Sequence, residues 1–410
     1  MAAPLPDGDP APENGLFTSE EIAGNETRSF HAYVHIPFCK DRCGYCDFNT
    51  YTATELGSLK QSDYPRSLIS EIAFSGEVLE RSGVEKRKFS TVFFGGGTPS
   101  LLPAADLVVI LDSLCNQFGL ADDAEITIEA NPDTVTGEKF SELRAAGFNR
   151  VSIGMQSAVP EVLATLERTH NPDNVSKSLA IVKELGFANS LDLIFGAPGE
   201  TLDQWRISLE TAIELDTDHI SAYSLIVEPG TKLARQIGSK QLAEVDEDLQ
   251  AEKYELAEEL LSKAGYNWYE ISNWAKSDHD VSKHNFGYWT GQDWWGYGPG
   301  AHSHLGSIRW WNQKHPLSYA KKLEGFVSPA AGREQLSAET ANLERVLLES
   351  RTSKGMSIKE LAELHPGAKD RIAELIADGL IIGERALKGQ LVLTLRGRLL
   401  ADAVVRALTG

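Results

Sequence analysis

Cysteine is scarce in this chain, and its scarcity argues against a disulfide-stabilised fold. The 410 residues include four cysteines, three of which fall within eight residues of one another. Small secreted proteins use more numerous and more widely spaced cysteines for a disulfide framework. Sparse, clustered cysteines are instead typical of a reducing compartment, where thiols bind metals or act in catalysis. The sequence therefore predicts a cytoplasmic protein with a thiol-based site.

Long apolar runs and an excess of basic residues are absent as well. No uninterrupted apolar run reaches the roughly 18 residues that a membrane-spanning helix needs, so no transmembrane segment is expected. The 39 Lys and Arg residues are outnumbered by 59 Asp and Glu residues, which gives a formal net charge of -20. This balance argues against nucleic acid or an anionic membrane surface as the main partner.

The first residues carry no recognisable targeting segment. The stretch MAAPLPDGDPAPENG has neither the basic start nor the apolar centre of a signal peptide. Its proline, alanine, glycine and acidic residues are typical of a segment that cannot bury an apolar core. We therefore expect residues 1–28 to form a disordered leader.

Between His31 and about Leu225, short apolar segments alternate with longer amphipathic ones. This alternation predicts six strand–helix units, and hence an α/β fold of parallel strands joined by helical crossovers. Six units are too few for a closed eight-stranded barrel, so an open (β/α)6 partial barrel and a doubly wound sheet both fit. Polar residues recur where the strands end, and barrels build their sites from loops at that face, which favours the partial barrel.

Changes in composition divide the rest of the chain. Residues 29–265 are expected to form the partial barrel with its cysteine loop. Residues 266–336 hold all but one of the eight tryptophans together with many glycines, and are expected to form an extension and a linker. In residues 337–410, short helical segments and a hairpin-like pair of strands predict a small C-terminal α+β domain that resembles a winged helix. Basic and acidic residues are nearly balanced there, so DNA binding is not expected.

The cysteine loop HIPFCKDRCGYCDF carries the strongest chemical signal. Cys39, Cys43 and Cys46 follow the spacing Cys-x3-Cys-x2-Cys, and Cys115 stands alone in a predicted helix. A structural zinc site needs four ligands, so it would require a histidine from the preceding apolar strand. Three thiolates on a four-iron cluster would instead leave one iron free to bind a further ligand.

This loop, placed after a first strand, resembles the radical S-adenosylmethionine (radical SAM) superfamily. The resemblance implies a 4Fe-4S cluster on Cys39, Cys43 and Cys46, with S-adenosylmethionine on the free iron. The implied S-adenosylmethionine contacts are Tyr33, Tyr45, Gly95, Gly96, Gly97, Thr98 and Glu129. Polar residues that match a second S-adenosylmethionine site are Gln156, Arg168 and Asp192.

Longer segments narrow the resemblance. YVHIPFC, GGGTPSLL, SLDLIFGAPGET and YSLIVEPGTKLA are similar to the oxygen-independent coproporphyrinogen III dehydrogenases and to their sister group of heme chaperones, HemW. The dehydrogenases have a further cysteine where this chain has Phe48, and a longer N-terminal segment. The stretch SKHNFGYW contains the H-N-x-x-Y-W motif of the chaperone group, which implies heme contacts at His284, Tyr288 and Trp289.

The resemblance leaves two functions open. The favoured hypothesis is a chaperone that binds heme and delivers it to an unidentified acceptor protein, with the cluster and S-adenosylmethionine as cofactors. The alternative is radical oxidative decarboxylation of coproporphyrinogen III, so whether the chain is an enzyme stays open. His284 also has two interpretations, because a buried histidine can ligate heme iron or can satisfy a polar network.

Overall fold

The computed structural model describes residues 6–56 and 59–410, without the side chains of Glu55 and Leu56. Strands account for much of the fold. They are β1 (Phe30–Ile36), β2 (Glu55–Leu56), β3 (Leu59–Lys60), β4 (Phe89–Gly96), β5 (Leu120–Ala130), β6 (Arg150–Gln156), β7 (Ala188–Phe195), β8 (His219–Ser224), β9 (Asn267–Glu270), β10 (Asn273–Ala275), β11 (Asp293–Tyr297), β12 (His302–Leu305), β13 (Ile308–Asn312), β14 (Ala330–Gln335), β15 (Met356–Ser357) and β16 (Gln390–Leu391).

Helices connect most of these strands. They are α1 (Tyr64–Arg81), α2 (Ala104–Gln117), α3 (Gly137–Ala145), α4 (Pro160–Thr165), α5 (Asp173–Glu184), α6 (Leu202–Glu214), α7 (Lys232–Gly238), α8 (Glu247–Lys263), α9 (Lys283–Trp289), α10 (Pro316–Glu324), α11 (Ala338–Glu349), α12 (Ile358–Leu364), α13 (Ala368–Ala377), α14 (Gly383–Leu387), α15 (Leu395–Leu399) and α16 (Ala401–Thr409). None of the helices in the described ranges is long and apolar enough to cross a membrane.

The central sheet confirms the predicted α/β fold. Its 12 strands follow the order β14-β13-β12-β11-β1-β4-β5-β6-β7-β8-β10-β9. The six strands from β1 through β4 to β8 are mutually parallel, as the alternation of segments predicts. β11 adds a seventh parallel strand beside β1, and antiparallel strands extend both edges.

Alternating side chains along the six parallel strands show why the fold is a partial barrel. Val34, Val92 and Ile153 represent the outward set, which is fully buried beneath the helices. The inward set is largely polar and lines a cavity, as Thr127 and Ser152 do. A doubly wound sheet would cover both faces with helices and would need apolar residues on both. The polar inward set therefore reflects a concave face that is left open for a ligand.

The N-terminal segment differs from the disordered leader that its composition predicts. Residues 1–5 lie outside the described part, but residues 6–28 pack along the far edge of the sheet. Asp9 exchanges two backbone hydrogen bonds with Arg333 of β14, at 2.8 and 2.9 Å. Phe17 contacts Trp310 with ring centroids 5.0 Å apart, and Ile22 is buried. Backbone pairing and two apolar anchors thus order a segment that is poor in apolar residues.

The C-terminal residues build a small helical unit with its own apolar core. That core includes Val346, Leu361, Ile372 and Val404. β15 and β16 pair in it as a short antiparallel sheet. Helices and a short sheet thus occur together in this unit, and its likeness to a winged helix stays a prediction.

Candidate functional site

A cavity of about 480 Å³ occupies the concave face of the six parallel strands. The cysteine loop forms the mouth of the cavity at the carboxyl ends of the strands. Helix α9 closes the floor of the cavity near the amino ends of the strands. A cavity at the carboxyl ends is where parallel α/β barrels bind ligands. Its lining brings together most of the predicted site residues, namely Tyr33, Cys39, Cys43, Tyr45, Cys46, Gly96, Gly97, Thr98, Glu129, Gln156, Arg168, Asp192, His284 and Tyr288.

Backbone hydrogen bonds hold the cysteine loop between β1 and its return at Tyr51. The amide of Cys39 donates to the carbonyl of Tyr51 at 3.0 Å, which closes the loop at its base. In the middle of the loop, the Gly44 amide donates to Leu166, and the Gly44 carbonyl accepts from Leu233. Segments that follow β6 and β8 therefore fix the position of the loop.

Each of the three thiols lies beside a polar hydrogen-bond donor. Burial raises the pKa of the Cys39 thiol to about 11 and also raises that of Cys46, so bound metal would have to displace these protons. Donors beside thiolates orient and stabilise the ligands of iron–sulfur clusters. The pairs are Cys39 Sγ with Thr98 Oγ1 at 3.7 Å, Cys43 Sγ with Arg168 Nη1 at 3.6 Å, and Cys46 Sγ with Thr50 Oγ1 at 4.0 Å.

The three thiols are not close enough together to bind a single metal ion. Within residues 6–56 and 59–410, no three histidine, cysteine or acidic side chains are gathered as ligands of a metal ion. Arg168 spans the space between the loop and the barrel, because its Nη2 donates to the carbonyl of Gly154 at 3.1 Å. Its buried Nε has no hydrogen-bond partner in the described structure. Three thiols with adjacent hydrogen-bond donors fit an iron–sulfur cluster. The unpaired guanidinium nitrogen of Arg168 fits a polar ligand beside that cluster.

The glycines at the end of β4 have separate structural reasons, and Gly97 is required by the close approach of the cysteine loop. A Cβ at Gly97 would lie 2.6 Å from the Phe38 carbonyl oxygen and 3.0 Å from Cys39 Sγ. Gly96 adopts a φ of 113°, which side chains with a Cβ rarely reach. Gln156 has a positive φ of 64° where β6 meets the cavity, and such strain often marks a ligand site.

Two half-buried carboxyl groups face the cavity. Glu129 accepts a hydrogen bond from the Gly96 amide at 3.1 Å. Burial, followed by the nearby Asp192 charge, raises the pKa of Glu129 to about 8. Burial also raises the pKa of Asp192, although Ser152 donates to that carboxyl group. A cationic ligand in the cavity would favour the ionised form of both groups.

The H-N-x-x-Y-W segment forms α9 and closes the floor of the cavity. His284 uses both ring nitrogens, because Nδ1 lies 2.6 Å from Thr91 Oγ1 and Nε2 lies 2.8 Å from the Tyr288 hydroxyl. Its ring stacks on Phe93 at 5.0 Å. Trp289 and Gly95 are not among the residues that line the cavity. This environment favours the polar-network interpretation of His284 over a free iron ligand.

Several residues of the cavity and of its floor are not among the predicted site residues. Thr91 and Phe93 contact His284 from β4, and Glu270 accepts a hydrogen bond from Asn285 of α9 at 3.0 Å. Arg150 is buried, and its Nη2 has no partner in the described structure. For Thr91 and Arg150, the available signal was their alternation with apolar residues along predicted strands.

The raised pKa of Glu129 predicts how stability depends on pH. The folded state binds the Glu129 proton more tightly than the unfolded state does, so stability falls as pH rises from about 4.5 to about 8. We expect Glu129→Gln to remove part of that loss, which is a few kcal/mol at most. Denaturant unfolding of the ligand-free protein at pH 5, 6.5 and 8 measures the difference; equal pH slopes for both proteins would contradict the prediction.

Comparison with known proteins agrees with this geometry. Residues 33–212 match the radical SAM superfamily. The heme chaperone HemW of Mycobacterium tuberculosis is 46% identical over 384 residues, which cover 93% of this chain and 95% of that protein. HemW of Bacillus subtilis is 34% identical over 386 residues, with 92% and 99% coverage.

A solved structure supports the fold independently. Coproporphyrinogen III oxidase (HemN) from Escherichia coli superimposes with a TM-score of 0.80 and covers 95% of this chain at 23% identity. That likeness shows that the two proteins share an architecture. The sequence identity to the two HemW proteins extends along nearly the whole length of this chain and of each relative. The chain belongs to the heme chaperone HemW family of the radical SAM superfamily.

Proposed function

We propose that this protein binds heme and passes it to an acceptor protein, with a 4Fe-4S cluster and S-adenosylmethionine as resident cofactors. The observation that carries the proposal is that one continuous cavity joins the thiols at the mouth to the polar floor. Relatives named as heme chaperones support the choice of heme as cargo.

The cysteine loop and the strand ends would hold the two cofactors. Cys39, Cys43 and Cys46 would ligate the cluster, which supplies a free iron and electrons when bound. The backbone around Gly96 and the carboxyl group of Glu129 would bind S-adenosylmethionine, since both line the cavity beside the loop. The remaining polar residues of the set, Gln156, Arg168 and Asp192, would line the rest of this pocket.

Exposed apolar side chains near the mouth suit a flat macrocycle. Phe48 lines the cavity and is 60% exposed, and Tyr223 lines it from the end of β8 with 44% exposure. Ile226, just beyond β8, is 68% exposed. Burial of such surfaces against porphyrin would be favourable. We place heme against Phe48, Tyr223 and Ile226, on the mouth side of Tyr288. His284 is not the iron ligand in this proposal, because both of its ring nitrogens are hydrogen-bonded.

A heme titration tests the proposal. We expect anaerobically reconstituted wild-type protein to bind heme stoichiometrically, as followed by the Soret absorbance. Phe48→Ala should weaken binding roughly tenfold, since burying a Phe side chain contributes about 1.5–3 kcal/mol. His284→Ala should keep the Soret maximum of the wild type if another group ligates the iron.

Controls separate this function from its alternatives. Leu387→Ala removes a side chain that is 92% exposed in the C-terminal unit, so it should bind heme as the wild type does. Absence of stoichiometric binding by the wild type would contradict the proposal. Formation of a vinyl-bearing product from coproporphyrinogen III on the same sample would favour the decarboxylase instead.

A further inference from the structure

An unbroken chain of side-chain hydrogen bonds runs from the floor of the cavity to the outside of the barrel. It begins at the Tyr288 hydroxyl, which faces the cavity, and ends at Ser29, which is half-buried ahead of β1. The contacts are Tyr288 Oη–His284 Nε2 at 2.8 Å, His284 Nδ1–Thr91 Oγ1 at 2.6 Å, Thr91 Oγ1–His31 Nδ1 at 2.8 Å, and His31 Nε2–Ser29 Oγ at 2.7 Å.

Gln292 fixes the direction of this chain at its outer end. Its Oε1 accepts from both the amide and the hydroxyl of Ser29, at 2.8 and 2.9 Å. Because the Ser29 hydroxyl has one hydrogen, it must accept from His31 Nε2. Thr91 then donates to His31 Nδ1 and accepts from His284 Nδ1, and Tyr288 donates to His284 Nε2. Every hydrogen therefore points from the cavity toward the outside.

Burial keeps the two histidines of this chain neutral. Burial, followed by the Arg87 charge, lowers the pKa of His31 to about 4, although the Asp293 charge acts to raise it. Burial also lowers the pKa of His284 well below its usual value, and His31 adds to that effect. A neutral imidazole carries one hydrogen and one lone pair, so it can accept a proton on one nitrogen while it releases one from the other.

The cavity end of the chain lies near a proton source. Glu129 and Tyr288 both line the cavity, and burial raises the pKa of the Tyr288 phenol, with the Glu129 charge raising it further. Tyr33 and Asp192 also interact electrostatically with Glu129. Burial keeps the Glu129 carboxyl group largely protonated at pH 7, since its pKa is raised to about 8. A cationic ligand would drive its ionisation and release that proton.

We propose that Tyr288, His284, Thr91, His31 and Ser29 form a proton path that carries the Glu129 proton out through the floor of the barrel when a cationic ligand closes the mouth. The inference rests on the assignment of S-adenosylmethionine, a sulfonium cation, to this cavity. It gives the His284 motif residues a role as proton carriers.

The transfer balances without any redox partner. Glu129 releases its proton through cavity water to the Tyr288 oxygen, and the Tyr288 hydrogen moves to His284 Nε2. The Nδ1 hydrogen of His284 moves to Thr91, and the Thr91 hydrogen moves to His31 Nδ1. His31 then passes its Nε2 hydrogen to Ser29, and the original Ser29 hydrogen leaves its hydrogen bond to Gln292 Oε1 for bulk water. The path returns to its first state by the reverse transfers when the ligand departs.

Stopped-flow mixing of the cluster-loaded protein with S-adenosylmethionine tests the path. A pH-indicator dye reports proton release in weak buffer at pH 7, and tryptophan fluorescence reports binding. We expect close to one proton per site, released in step with binding. Thr91→Val and Tyr288→Phe should release it roughly 100-fold more slowly, in the range that positioned proton transfer contributes. Thr91→Ser keeps a hydroxyl and should behave as the wild type.

The outcomes distinguish this inference from the proposed function. Absence of S-adenosylmethionine binding would contradict the cofactor assignment. Binding followed by wild-type release rates in both Thr91→Val and Tyr288→Phe would overturn the proton path.

Nitrogen-15 NMR of the ligand-free protein decides the matter independently, because it needs no cofactor. The path requires His284 to carry its hydrogen on Nδ1 and His31 to carry its hydrogen on Nε2. Any other pair of tautomers, assigned with His31→Gln and His284→Gln samples, would overturn it.

Discussion

Gly97→Ala is expected to lose iron incorporation roughly tenfold or more while the barrel stays folded. The added Cβ would lie 2.6 Å from the Phe38 carbonyl oxygen, 2.9 Å from the Ile36 carbonyl oxygen and 3.0 Å from Cys39 Sγ. Two of these neighbours are backbone atoms, so the clash cannot be relieved by a side-chain rotation. Overpacking of this kind costs about 1–3 kcal/mol, and here it displaces the segment that carries Cys39.

The loop has little freedom to move away from the new methyl group. The Gly97 amide donates to the Ile36 carbonyl at 2.8 Å, and the Thr98 amide donates to the Phe38 carbonyl at 2.8 Å. A shift would break these bonds and the contact of Thr98 with Cys39. Iron and sulfide analysis after anaerobic reconstitution measures the effect, and circular dichroism checks the fold.

Gly137→Ala provides the matched control. Gly137 begins α3, and no described atom outside its immediate neighbours lies within 4 Å of a Cβ at that position. This variant should incorporate iron fully and should be as stable as the wild type, or slightly more stable. Wild-type iron content in Gly97→Ala would show that the cluster loop tolerates displacement, and would contradict the prediction.

The parallel strands and the cysteine loop could be predicted from the sequence because their signals are local. The outward apolar residues of β1 and β4 pack under neighbouring helices, so periodicity alone marks them. The spacing from Cys39 to Cys46 is confined to one loop. Local patterns of this kind need no knowledge of distant partners.

The floor of the cavity could not be predicted, because its contacts join residues far apart in the chain. Thr91 and His284 are separated by 193 positions, and Glu125 accepts from the amide of His284 across 159 positions. A lone histidine in a motif does not reveal which atoms satisfy its ring. The order of residues 6–28 escaped prediction for the same reason, since Asp9 pairs with Arg333, which is far away in the chain.

Lys253→Met is expected to lower the free energy of unfolding by about 3–5 kcal/mol, the cost of leaving a buried charge without its partner. The Lys253 side chain is 1% exposed, and its Nζ lies 2.8 Å from Glu200 Oε2, whose side chain is fully buried. Lys253 also donates to the Glu200 carbonyl at 2.7 Å, and Glu200 accepts from the Gly196 amide at 2.6 Å. The pair therefore fastens α8 to the loop that follows β7.

A double variant and an exposed pair test the physical reason for that loss. Lys253→Met with Glu200→Gln removes both charges and keeps an acceptor for the Gly196 amide, so it should recover more than half of the lost stability. Lys232→Met breaks an exposed pair with Glu167, at 2.6 Å, and should cost about 0–1 kcal/mol. Urea unfolding of the four proteins measures these differences. Equal losses for Lys253→Met and Lys232→Met would contradict the prediction, because burial is then not what makes the Lys253–Glu200 pair important.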